Sequence, residues 1–89
     1  METKLITLSG RVQGVGFRYH SKMIADKLGV TGYAKNLTDD VEIIAQGKKE
    51  AVEAFIKQVA DGASPSSHVE DYTVKSLETD EKYKKFKTL

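Results

Sequence analysis

Between Gly10 and Arg18 the chain reads Gly-Arg-Val-Gln-Gly-Val-Gly-Phe-Arg, three glycines within nine residues. This stretch follows an apolar, β-branched run and precedes residues with helical spacing. Glycine lets a backbone turn through positive φ and approach a ligand closely. A glycine turn that opens a helix leaves the first N–H groups without helical partners, and the partial positive charge gathered there favours an anion such as phosphate. Arg18 falls in the first turn, where its guanidinium can fold back over that anion with a planar fork of donors. The chemistry this suggests is a phosphate cradle with an arginine clamp. The same glycines also fit a plain tight turn. No Gly-Lys-Ser/Thr follows, so this is not a nucleotide P-loop, and Tyr19 stands where a dinucleotide fingerprint needs a third glycine.

The elements that must position this stretch follow from periodicity. Leu5–Leu8 reads as a first strand, bounded by Gly10. Phe17, Ser21, Ile24, Ala25 and Leu28 recur at three- and four-residue intervals, which predicts an amphipathic helix stopped by Gly29. Residues 30–35 read as a second strand, 36–40 as a polar turn, and Val41, Ile43 and Ala45 as the alternating apolar side of a third, in a hairpin with the second. Val52, Phe55, Ile56 and Val59 mark a second helix closed by Gly62. Residues 69–77 alternate as a fourth strand, 78–82 form a charged turn, and 83–89 are a candidate for a short fifth strand anchored by Phe86. The order βαββαβ predicts an α+β, ferredoxin-like split βαβ sandwich, an antiparallel sheet with two helices on one face. That scaffold hosts many functions, so the site must decide.

Eighty-nine residues suffice for one core, and a single domain over 1–89 is expected. With no cysteine there is no disulfide framework, thiolate nucleophile or cysteine zinc site. No signal-like segment and no span of roughly 20 apolar residues is present, so a cytoplasmic protein with no membrane partner is expected. A net charge of +1 argues against nucleic acid as the main partner. His20, two residues after Arg18, is expected off the arginine's face, and His68 lacks metal-ligand spacing. Asp39, Asp40 and Glu42 read as a solvated hairpin, and Lys82, Lys84, Lys85 and Lys87 as charges guarding an edge strand.

The motif at Gly10–Arg18 resembles the signature of the acylphosphatases, hydrolases of carboxyl–phosphate anhydrides. Gly32-Tyr33-Ala34-Lys35-Asn36 followed by Val41-Glu42 resembles the family's second signature, and the likeness runs the length of the chain. The resemblance implies that backbone N–H groups of Gln13, Gly14, Val15, Gly16, Phe17 and Arg18 cradle phosphate. It implies further that Arg18 binds the phosphoryl oxygens and that the Asn36 amide orients the attacking water. The family usually places an aspartate-glycine pair in the following turn. Here Thr38-Asp39-Asp40 has no glycine and is one residue shorter; Asp or Asn can take positive φ, so the turn is still buildable.

The residues suit that chemistry. The leaving carboxylate has a conjugate-acid pKa of about 4.3, so it departs without a strong general acid. Positioning and charge stabilisation by N–H groups, one arginine and one amide then suffice. The expectation is a metal-independent, cofactor-free monomer acting on small acyl phosphates, with inorganic phosphate as product and competitive inhibitor. The alternatives are a non-catalytic anion- or ligand-binding module on the same scaffold and a nucleic-acid binder using the sheet face. For the latter, the first and third strands carry no aromatic residues.

Overall fold

A computed structural model describes residues 1–89. The elements are β1 (Glu2–Arg11), α1 (Phe17–Leu28), β2 (Thr31–Asn36), β3 (Val41–Gly47), α2 (Lys49–Ala60), β4 (His68–Leu77) and β5 (Phe86–Thr88). They build one five-stranded sheet in the order β4-β1-β3-β2-β5. Among β4, β1, β3 and β2 each strand is antiparallel to its neighbour, whereas β5 lies parallel to β2. The expected antiparallel sheet therefore becomes mixed at one edge. The chain reaches β5 by crossing the sheet rather than by a hairpin, and so arrives in the direction of β2. The ferredoxin-like order of the sequence reading is the one observed, with the fifth strand present.

Alternation in the strands and the helical periods meet in one core. Ile6, Leu8, Ala34, Val41, Ile43, Ala45 and Phe86 from the sheet pack with Phe17 and Ala25 of α1 and Val52, Phe55 and Val59 of α2. Phe55 and Phe86 stack tilted, ring centroids 5.7 Å apart, so the last strand is pinned to the second helix. Helix α1 ends as its sequence dictates, with Gly29 left-handed and its N–H on the Ala25 carbonyl. Helix α2 ends at Ala60, two residues before the expected glycine: Asp61 is the cap, and Gly62 donates to the Val59 carbonyl at 3.1 Å.

The face away from the helices is partly covered too. Thr3, Ile44 and Gln46 are buried although they alternate with core residues. The Gln46 side chain donates to the Asp80 carbonyl at 3.0 Å and accepts from the Asp80 N–H at 2.9 Å, while Thr3 Oγ1 donates to Gln46 Oε1 at 2.6 Å. One amide thus pairs with one residue's backbone as a neighbouring strand would. It straps the β4–β5 connection across the sheet, where the sequence suggested only a charged turn.

Two outcomes are expected. Phe86→Ala should cost about 3–5 kcal/mol in urea unfolding, because a fully buried aromatic leaves a cavity between β5 and α2. Tyr33 donates to Glu42 Oε2 at 2.8 Å, and its pKa is pushed up to about 12, first by burial, then by the bond to Glu42 and the charges of Glu42 and Tyr83. A raised folded-state value favours the neutral phenol. This contribution to stability is complete below about pH 10, the phenol's unfolded value, and is lost as pH rises toward about 12. Absorbance titration should place the midpoint near the upper value, and Glu42→Gln should bring it down.

Candidate active site

Strand β1 carries an irregularity between Ser9 and Gly10 and ends at Arg11, and the buried Val12 anchors the loop that follows. Gly14 (φ 71°) and Gly16 (φ 74°) are both left-handed. An added Cβ at Gly14 would meet no atom within 4 Å, so backbone conformation, rather than lack of room, demands glycine there. Gly16 is the N-cap of α1 and offers no side chain to cap it. The N–H groups of Gln13, Gly14, Val15 and Gly16 donate to no main-chain acceptor. The loop's one such bond runs from His20 N–H to the Gly16 carbonyl, 3.0 Å.

A cleft of about 250 Å³ opens beside this loop. Of the residues singled out from the sequence, Gly14, Gly16, Phe17, Arg18 and Asn36 line it, and Gln13 and Val15 do not. Asn36 is the exposed last residue of β2, paired across the hairpin with Val41. Arg18 is half-buried, and its Nη1 donates to the Leu89 main-chain oxygen at 2.5 Å, so the stretch after β5 fixes the guanidinium. No carboxylate lines the cleft.

Sequence reasoning missed four contributors. Tyr19, Lys22 and Thr88 also line the cleft. Lys22 was legible, being four residues after Arg18 and hence on the same helix face. Thr88 was not, because only the parallel placement of β5 brings it there. The fourth is the side chain of Gln13, which donates to the Leu37 carbonyl at 2.9 Å and to the Asp40 carbonyl at 2.8 Å. With the Leu37 N–H donating to the Asp40 carbonyl at 2.8 Å, these bonds close the short turn after Asn36. No non-glycine residue in the chain has positive φ, so the turn is built without a left-handed aspartate.

The remaining candidates lie elsewhere. His20 stands edge-on to Tyr19, 5.5 Å between centroids, and is outside the cleft lining. His68 opens β4 opposite Arg11. Glu42 is engaged by Tyr33, and no three His, Asp or Glu side chains gather in a set that could hold a metal ion. The four lysines surround β5, the sheet edge, and line a second, open groove with Tyr33 and Tyr83.

The model of the acylphosphatase family matches residues 4–88. The chain belongs to the acylphosphatase family. It is 40% identical to an acylphosphatase of Staphylococcus haemolyticus over the whole of both chains, and 44% identical to one of Staphylococcus aureus over 90% of each. The crystal structure of acylphosphatase from Bacillus subtilis superposes with a TM-score of 0.94 at 40% identity, covering 100% of this chain and 99% of that one. The protein is thus an enzyme of this family, and its sheet order with two helices is the family's fold.

The Gln13 bonds generate a prediction. Gln13→Ala should cost about 1–2 kcal/mol in urea unfolding for two lost hydrogen bonds. Gln13→Glu should cost more, since it sets a carboxylate with no donor against two carbonyls.

Proposed function

We propose that the protein hydrolyses small acyl phosphates to a carboxylate and inorganic phosphate without a metal ion. The backbone N–H groups from Gln13 to Arg18 and the Arg18 guanidinium hold the phosphoryl group, and Asn36 orients water. The observation that carries this reading is the convergence of Gly14, Gly16, Arg18 and Asn36, from two separate segments, on one cleft without a carboxylate. Such a cleft suits a phosphoryl group and offers no side-chain base.

The chemistry needs none. Water oxygen attacks phosphorus in line with the acyl oxygen, the P–O(acyl) bond breaks, and its electron pair leaves with the carboxylate. That group is a weak base, with a conjugate-acid pKa of about 4.3, and departs unprotonated. The proton of the attacking water passes to a phosphoryl oxygen. Catalysis is positioning together with stabilisation of charge on the equatorial oxygens by fixed donors. The Leu89 oxygen on Arg18 Nη1 leaves the guanidinium's other donors for those oxygens.

Benzoyl phosphate hydrolysis tests the reading. Arg18→Lys keeps the charge but loses the fork and should lose about 100-fold or more in kcat/KM. Asn36→Ala should lower kcat by a similar factor while the inhibition constant of inorganic phosphate moves by less than about threefold, as a transition-state-only contact requires. Turnover should survive a chelator. Near-normal turnover in Arg18→Lys would remove the clamp, and phosphate binding without turnover in the wild type would leave a binding module.

A further inference from the structure

We propose that Lys22 selects acyl phosphates whose acyl part carries a second anionic group, such as a distal carboxylate or phosphate. The proposal rests on the hydrolase reading above and names the substrate class for that cleft. Lys22 lines the same cleft as Gly16, Arg18 and Asn36. It stands one helical turn beyond Arg18 on the same face of α1, about 6 Å further along the axis. In the proposed mode Arg18 and the partial charge of the helix end supply about 1.5 positive charges against the roughly two of the phosphoryl group, so the whole charge of the Lys22 ammonium exceeds the remainder. With no carboxylate in the lining, nothing in the cleft neutralises it.

Its one partner lies outside. Lys22 Nζ bonds Asp26 Oδ2 at 2.7 Å, a further turn along the helix, and the two side chains are 42% and 53% exposed. An exposed i,i+4 pair of this kind is weak, so the ammonium can turn from Asp26 to a substrate anion at little cost. Tyr19, 63% exposed, also lines the cleft and offers a ring beside which the acyl part can lie. A neutral acyl group would leave the ammonium on Asp26. An anionic one of suitable length would draw it inward.

The test compares 3-carboxybenzoyl phosphate with 3-carbamoylbenzoyl phosphate, which are matched in shape and differ in charge. The readout is the ratio of their kcat/KM values in the wild type, Lys22→Met, Lys22→Gln and Asp26→Asn. Intrinsic reactivity cancels when each variant's ratio is divided by that of the wild type. Both Lys22 variants should lower the ratio about twofold to fivefold, the size of a half-exposed charge contact. Asp26→Asn, which releases the ammonium, should raise it about twofold, and added salt should shrink the wild-type preference. A merely structural ion pair would move the Lys22 and Asp26 variants in the same direction. An unchanged ratio in the Lys22 variants, or a fall in Asp26→Asn, would overturn the assignment while hydrolysis itself continued. Failure of the wild type to cleave either compound would overturn the hydrolase reading, and this proposal with it.

Discussion

A helix cannot satisfy its own first N–H groups, and the rest of this structure depends on how that constraint is met at the start of α1. Gly16 sits at the N-cap with no side chain to offer, and Gly14 and Gly16 both take left-handed backbone. Elsewhere in proteins a serine or aspartate would close such an end. Here the donors stay free of main-chain partners at Gln13–Gly16, beside a cleft that Arg18 and Asn36 share. Positive potential at this end therefore comes from the backbone, before any charged side chain contributes.

Holding such an array still requires parts of the chain that are far apart in sequence. Strand β1 is central, paired with β3 and β4, and it delivers the loop from a rigid base. The Gln13 side chain ties the loop to the turn after Asn36, so two separately encoded segments are joined directly. On the other side, Phe86 pins β5 to α2, and the residue just past β5 takes a hydrogen bond from Arg18. The crossing that makes β5 parallel is held in turn by Gln46 and Asp80 on the opposite face. Packing, register and hydrogen bonding all converge on one half-buried guanidinium.

Much of this was legible in the residues, because local periodicity and glycine chemistry decide it. The helical repeat from Phe17 to Leu28 with Gly29 behind it, the alternation of Val41, Ile43 and Ala45, and the order of elements all follow from short-range rules. What escaped depends on distant partners. Nothing near Gln46 signals that its amide will meet Asp80, and a polar residue alternating with apolar ones reads as facing water. The turn after Asn36 lacks the usual glycine and could have been built on a left-handed aspartate, yet a glutamine 24 residues before Leu37 supplies the closing bonds. Thr88 reaches the cleft only because β5 runs parallel to β2. The cleft's two central side chains could be named from motif likeness, whereas the contacts that fix them could not.

Whether the loop amides and Arg18 form the phosphate site can be read by titrating inorganic phosphate into 15N-labelled protein and following amide and arginine side-chain shifts. Large, saturable shifts are expected, confined to residues 13–19, the Arg18 guanidinium and the Asn36 side-chain amide, with one dissociation constant equal to the inhibition constant of phosphate in hydrolysis. Shifts centred instead on Lys82–Lys87 around β5, with residues 13–19 unmoved, would contradict that assignment.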